Sequence, residues 1–380
     1  MKIKDNKLTW SLNVISRVIV GLVFVFSGFV KGVDPLGTSY KITEYMTTWS
    51  FFGISFEGFV PLATALSVAL VVLEFTVGVM LLFGSFRRIT AWVLLLMMLF
   101  FTGSTLYDAI TNEVTDCGCF GDAVKLTNWQ TFGKNVALMV FAIWIFITMN
   151  VRRKKRTEHD VLVFVFSAVI MIIFALFNIN NEPCIDFRAW KMGNQMMDMD
   201  DSLEVKSYVT YRNTMTGETE EFLSSELVNK MSDPEWEKNW EWESSRVEDP
   251  HEIKADGFSM LDMDMEDHAH ELIGSTDYLL IVTIHHLEKV DAKGIRAMQQ
   301  IMEMADENGV QVVVLSSALP EDIQSFLYEN KLDNLEFYFA DATAIETMAR
   351  SNPGFVLMKE GRVMGKWHHR HVRDLLDYQF

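Results

Sequence analysis

The sequence predicts an α-helical membrane bundle, a four-helix core plus a fifth span, followed by an α/β outer domain. Three observations predict it. Five long apolar stretches fill the first 181 residues, the charge balance breaks where they end, and strand and helix patterns alternate from residue 276 onward. The 380 residues carry 33 Lys+Arg against 51 Asp+Glu, net −18, yet 49% of the chain is apolar. That apolar content excludes disorder. Residues 1–180 are net +4 and residues 181–380 net −22, so nucleic acid is not an expected partner of the acidic half.

A bilayer span needs about 20 mostly apolar residues. The candidates are 10–30, broken only by Arg17; 58–86, with Glu74 inside it; 89–107; 135–151; and 161–181. The first is read as a span and not a cleavable signal: it holds a charge, lacks a small-x-small site and runs into further spans. Lys2, Lys4 and Lys7, then Arg87 and Arg88, then the run Arg152–Arg153–Lys154–Lys155–Arg156 fall on one side if the N-terminus is cytoplasmic. The loops 31–59 and 108–134 hold four basic residues between them. Five spans then place everything after residue 181 outside the cytoplasm, and the expected location is the inner (cytoplasmic) membrane with a periplasmic C-terminal domain. The expected division is 1–151 for four spans, 152–181 for a basic loop and fifth span, 182–275 for an acidic connector with a small β unit, and 276–380 for the α/β domain.

All three cysteines, Cys117, Cys119 and Cys184, map to that outer side, where disulfides are permitted. Cys117 and Cys119 flank Gly118, whose backbone freedom allows a small disulfide ring. A strained, exposed bond of that kind is easily reduced and suits a disulfide donor; the bland reading is two packed thiols or a small structural loop. The spacing is too tight for a zinc site made by both thiols alone, and no histidine occurs before His159. Inside the membrane, Arg17 and Glu74 are expected to form a structural ion pair, because an intramembrane charge needs a partner. Phe24, Phe26, Phe29 and the apolar 97–101 run read as helix packing, and Trp49, Phe51 and Phe52 as an interfacial anchor.

The stretch Phe24-Val-Phe-Ser-Gly-Phe-Val-Lys31, then Asp34-Pro-Leu-Gly37, Glu74-Phe-Thr-Val-Gly78 and Cys117-Gly-Cys-Phe-Gly121 together carry a likeness. Residues 10–150 resemble the DoxX-like membrane family, in particular its MauE branch. The resemblance implies a four-helix fold similar to membrane oxidoreductases that pass electrons from thiols to quinone. It also implies a role in disulfide formation in partner proteins outside the cytoplasm. The usual disulfide-generating enzymes have two cysteine pairs; here there is one pair plus Cys184, a third thiol able to form a mixed disulfide with it.

In the connector, 208–211 and 218–222 around Thr216-Gly217 read as a hairpin, and Trp236, Trp240 and Trp242 as core anchors. Met192, Met196, Met197, Met199, Met260, Met263 and Met265, with 262–270, suggest soft-metal binding, but ligand spacing is absent and a solvated acidic segment is expected, with no metal. From there, strands at 278–284, 311–316 and 335–340 alternate with helices at 291–308, 320–330 and 343–350. A hairpin, 355–358 and 362–367, turns at Lys359-Glu360-Gly361, and a final helix follows. With Ser351-Asn352-Pro353 before the hairpin, this order resembles a thioredoxin fold, Asn352-Pro353 taking the cis-proline position. The Cys-x-x-Cys expected after the first strand is replaced by His285-His286-Leu-Glu-Lys289. The domain is thus expected to bind extended polypeptide beside Pro353 without exchanging thiols. His285, His286, His368, His369 and His371 are read as surface histidines.

The function expected from these features is a membrane thiol–disulfide oxidoreductase or disulfide-formation accessory protein. Cys117 and Cys119 form its redox pair, Cys184 its third thiol, quinone its acceptor, and its partners are membrane lipid and extracytoplasmic proteins. The alternative is a non-catalytic subunit whose acidic outer domain recruits partners. A transporter finds no inverted repeat to support it.

Overall fold

The computed structural model describes residues 6–48, 50–51, 54–114, 120–150, 157–200, 202–231, 234–249, 251–255 and 257–380. By contact it divides into two compact units. The first comprises Met1–Arg188, Ala349–Gly354 and Trp367–Leu375; the second comprises Ala189–Met348, Phe355–Lys366 and Leu376–Phe380.

Five helices of the first unit are long and apolar enough to cross a bilayer, the mark of a multi-pass membrane protein. α1 (Lys7–Val33) starts with a reciprocal cap between Asn6 and Thr9. α2 (Pro35–Thr48) follows Asp34 directly, where a loop is expected from sequence, and is too short to span. Short strands β1 (Ser50–Phe51) and β2 (Ile54–Ser55) come next. The anchor read at Trp49, Phe51 and Phe52 concerns side chains outside the described residues. α3 (Ala63–Phe83), α4 (Arg87–Thr111), α5 (Asn128–Ile147) and α6 (Thr157–Asn180) complete the set.

One apolar cluster joins four of these helices: Val20 and Phe24 of α1, Val77 and Leu81 of α3, Leu94 and Met98 of α4, Leu138 and Ala142 of α5. α6 adds nothing to that cluster and packs outside it against α3 and α1, as a fifth span beside a four-helix core. Lipid is as apolar as leucine, so close backbone approach is what holds such helices together. Here glycines supply it. A Cβ on Gly28 would lie 2.7 Å from the Phe75 backbone nitrogen, and one on Gly78 would lie 2.7 Å from that of Val25.

This antiparallel contact corrects the expected Arg17–Glu74 pair. It sets Arg17 beside Gly84, where α3 ends with φ +68°. The guanidinium donates to the Leu81 carbonyl (2.8 Å), which also accepts the Gly84 N–H, and to the Leu82 carbonyl (3.3 Å), capping that helix end. Glu74 is ten residues deeper on α3, about 15 Å away along the axis. Its partner is Lys31, whose Nζ donates to Oε2 at 2.8 Å with both side chains buried. Lys31 also lies 5.6 Å from the Phe101 ring centre. The need of a buried charge for a partner does not say which cation stands level with Glu74; the glycine contacts set that register.

In the second unit, β3 (Lys206–Asn213) and β4 (Thr219–Leu223) form the expected hairpin. α7 (Ser224–Lys230), α8 (Pro234–Asn239) and β5 (Trp240–Glu248) follow, and β5 pairs with the other edge of β3. Trp236 stacks on Trp240 at 5.9 Å and both meet Phe222, whereas Trp242 is exposed. Of the methionines suggestive of metal binding, Met196, Met197 and Met260 are buried packing residues. The connector is therefore less irregular than its acidity suggests: Trp190 is wholly buried against Phe258, and the Met196 N–H donates to Gly361.

α9 (Ala269–Ile273) leads into β6 (Leu279–Ile284), α10 (Ala292–Asn308), β7 (Gln311–Ser316), α11 (Pro320–Glu329) and β8 (Glu336–Phe339). α12 (Ala342–Met348), β9 (Gly354–Lys359), β10 (Arg362–His368) and α13 (Val372–Leu376) end the chain. The sheet order is β10-β9-β6-β7-β8, with β6, β7 and β8 parallel. Every residue of β6 is buried, as befits a central parallel strand. α10 is capped by Asp291 and buries Ala297, Met298, Ile301, Met304 and Ala305 on one face. Glu360 and Gly361 both take positive φ in the hairpin turn.

The buried Lys31–Glu74 pair generates a stability prediction. Lys31→Met or Glu74→Gln alone strands a charge or a polar group in the membrane and should cost about 3–5 kcal/mol. The double variant Lys31→Met/Glu74→Met should recover most of that loss. Unfolding of the purified chain in detergent micelles measures all three.

Candidate functional site

Asp34 sits where α1 gives way to α2, and Pro35 fixes the start of the second helix. Its carboxylate accepts the Gly37 N–H at 2.9 Å and both Nε (3.0 Å) and Nη2 (2.7 Å) of Arg350. Gly37 is required there, since a Cβ would meet Asp34 Oδ2 at 2.5 Å and Arg350 Nη2 at 2.8 Å. Tyr40 brings its ring to 5.3 Å from the same guanidinium. Asp122 Oδ2 lies 3.8 Å from Arg350 Nη2.

The backbone N–H groups of Arg350 and Ser351 both donate to Glu182 Oε1 at 3.2 Å. The other oxygen of Glu182 accepts from Arg188 Nη2 at 3.0 Å, and Arg188 binds Asp186 through Nε at 2.7 Å. Two guanidiniums and four carboxylates thus interlock. Ser351 Oγ donates to the Pro353 carbonyl, accepts the His369 N–H at 3.1 Å and lies 2.9 Å from His369 Nδ1. The Asn352–Pro353 peptide bond is cis.

The electrostatics follow from this geometry. Burial pushes the Asp34 carboxyl up, but the Arg350 guanidinium, helped by Arg188, holds it below the usual carboxylate range. Burial raises Asp122, and the nearby Asp34 charge adds to the rise, against the pull of Arg350. One guanidinium therefore serves a firmly ionised and a less easily ionised carboxylate. Burial, with His369 alongside, pushes His368 down to about 4.

Of the residues singled out from sequence, Cys117 and Cys119 lie outside the described residues. The segment just after them does not. Phe120 packs on Phe26 at 5.5 Å, and Lys134 lies 4.2 Å over its ring. Cys184 is exposed, and its N–H donates to Asn178 Oδ1 at 2.9 Å; Asn178 in turn donates to the Gly32 carbonyl at 3.1 Å. Asn352 and Pro353 follow Arg350 and Ser351 in the same network. Arg17 and Glu74 belong to separate contacts within the helices and not to this network.

The histidines depart from the surface reading. His368 and His369 are buried, as is His285, while His286 is exposed. In the second unit His285 and His286 line a cavity of about 570 Å³ with Ser317, Asp322, Ser325 and Glu346. Asp262, Glu266 and His268 bring ligand-type atoms within 4.8 Å of one another. The Asp262 carboxylate is already held by the Asp264 and Glu266 N–H groups (2.9 Å each) and by His268 (3.1 Å), closing its own turn.

Sequence reasoning did not assign Asp122, Glu182, Arg188, Arg350 or Ser351 to a site. Asp34 and Gly37 were visible only as a motif. No local pattern announces an arginine whose partner is 316 positions away.

Residues 9–148 match the family described as methylamine utilisation protein MauE. That span covers α1 to α5, the four-helix core with α2. Over 200 residues the chain is also 22% identical to "Protein TlpB" of Flavobacterium psychrophilum, covering 52% of each chain. The chain spans about half the length of that curated relative. No solved structure matches.

Two pH windows test the network. The unfolded chain protonates His368 near the usual 6.5, the folded one near 4, so stability is complete above 6.5 and declines as pH falls toward 4, by at most about 3 kcal/mol. His368→Gln should flatten that decline in melting curves. The depressed Asp34 contributes fully above the unfolded carboxylate value of about 4 and is lost as pH falls through its lower folded value. The melting-temperature deficit of Asp34→Asn should hold through neutral pH and close only in strong acid.

Proposed function

We propose that the chain is an integral membrane thiol–disulfide oxidoreductase, or an accessory to disulfide formation, in which Cys117 and Cys119 are the redox pair. One observation carries the reading. Asp122, three residues past Cys119, and Glu182, two before Cys184, both engage Arg350, which directly precedes Ser351-Asn352-Pro353. Described residues close in sequence to all three cysteines thus join one charge network beside a cis-proline peptide.

In this reading the Cys117–Cys119 disulfide accepts two electrons and two protons from two thiols of an extracytoplasmic protein. The substrate leaves with a disulfide, and the pair leaves as two thiols. A quinone, reduced to quinol, takes the same two electrons and two protons and restores the bond. Cys184 is the third thiol, able to attack the pair and hold a mixed disulfide. Asp122, whose proton affinity is raised, stands close in sequence to receive or return a proton.

The match to the MauE family supports this reading, as does the wider likeness to DoxX-type membrane proteins. The positive-inside distribution supports a cytoplasmic N-terminus in the inner membrane, with the cysteines and the C-terminal domain outside. The strand order β10-β9-β6-β7-β8 with the cis bond before β9 supports a thioredoxin-like domain lacking the Cys-x-x-Cys. The second unit contains no cysteine, and that favours a partner-recruiting role for it in either case. A non-catalytic scaffold is the competing reading.

Thiol trapping in native membranes decides between the two. Reductant should open a Cys117–Cys119 bond and oxidised quinone should restore it, seen as a mass shift on alkylation. Cys117→Ser/Cys119→Ser should abolish both the shift and disulfide delivery to substrate. A pair that stays reduced, or stays closed and unresponsive, with function intact in the double variant, leaves the scaffold.

A further inference from the structure

α4 and α5 meet along a polar seam in an otherwise apolar bundle. Thr102, Thr105 and Asp108 are spaced by three along α4, and Asn128, Thr131 and Asn135 by three and four along α5, so each set shares a helix face. Asn135 Nδ2 donates to Thr105 Oγ1 and to the Phe101 carbonyl, 3.2 Å each, across the seam. Asn128 Nδ2 faces three acceptors: the Asp108 carbonyl (3.2 Å), Asn112 Oδ1 (3.0 Å) and the Val114 carbonyl (2.9 Å). That crowd of acceptors fixes which end of the amide is nitrogen.

The oxygens are another matter. Asp108 Oδ1, Asn128 Oδ1, Thr131 Oγ1 and Thr102 Oγ1 are all shielded from solvent, and among the described residues none of them has a hydrogen-bond partner. Asp108 itself is wholly buried, and its other oxygen accepts from the Tyr45 hydroxyl at 2.8 Å. Lys41, the nearest lysine to influence it, is paired with Glu44 at 2.9 Å. Among the described residues Asp108 has no ion pair. A carboxylate and an amide oxygen left bare inside a membrane bundle are costly, and both want a positive or donating guest.

We infer that the seam is a binding site for a small monovalent cation, with Asp108 Oδ1 and Asn128 Oδ1 as its first ligands and Thr131 Oγ1 beside them. All the bare atoms are oxygens, which selects a hard cation over a soft metal. A single carboxylate supplies one negative charge, which matches a singly charged guest. Sodium meets both conditions. Around Asp108 the titratable groups are Lys41, Glu44 and Tyr45 of α2, with Tyr107 of α4 and Glu113 just beyond it; α5 brings the Asn128 amide. The site does not depend on the thiol chemistry proposed above and uses none of its residues.

The test uses the purified full chain in detergent micelles, melted in sodium chloride and in choline chloride of equal ionic strength, from mildly acidic to mildly alkaline pH. If the guest is sodium, the melting temperature at alkaline pH rises by about 3–5 °C in sodium over choline near tenfold saturation. The rise shrinks as protons compete and is lost in Asp108→Asn. Should Asp108→Asn fail to fold, Asn128→Ala keeps the carboxylate and must lose the same response. A wild type that melts alike in sodium and choline overturns the inference, as does a full sodium response retained in Asn128→Ala.

Discussion

A half-buried carboxylate needs a cation, and Asp34 finds Arg350, 316 residues further along the chain. That one pair brings the segment before Pro353 into the compact unit that holds the membrane helices. Once Arg350 is held, its backbone N–H and that of Ser351 point at Glu182, and Glu182 in turn orders Arg188 and Asp186. Each charge in the network is needed by another, so neutralising any one leaves a neighbour stranded. The same guanidinium reaches Asp122, three residues past Cys119 in sequence. Contacts scattered over three stretches of sequence thus reduce to the demands of one arginine.

Within the helices a second constraint operates. Little water reaches a misplaced polar group there, so Arg17, Lys31 and Glu74 are answered locally. Arg17 closes the carbonyl end of α3, Lys31 answers Glu74, and glycines at 28 and 78 let α1 and α3 approach until those contacts close. The motif residues Lys31, Asp34, Gly37, Glu74 and Gly78 prove to be one another's supports or those of Arg350.

Much of this was legible in the sequence. Hydropathy located all five spanning helices, because length and apolarity are local properties. Alternating periods located β6 to β10 and the helices between them for the same reason, and Asn352-Pro353 stood out as a proline before a strand. What stayed hidden was long-range. The partner of Glu74 depends on the register of two helices, which is set by glycine contacts and cannot be counted from span ends. The role of Arg350 depends on a carboxylate three hundred residues earlier. α2 was missed because its mixed polarity resembles a loop, and β5 because its glutamates masked a strand whose apolar positions are two tryptophans and a valine. The buried His368 and His369 read as surface residues because nothing local says that Ser351 will pack against them.

The proposed redox function requires the cysteine pair and Cys184 to come within reach of each other. A short bifunctional thiol cross-linker, applied to the reduced chain in native membranes and followed by peptide mass spectrometry, tests it directly. The account predicts a cross-linked peptide joining Cys184 to Cys117 or Cys119, lost when Arg350→Leu releases the network. Recovery of only the Cys117–Cys119 product, with Cys184 singly modified, would contradict it.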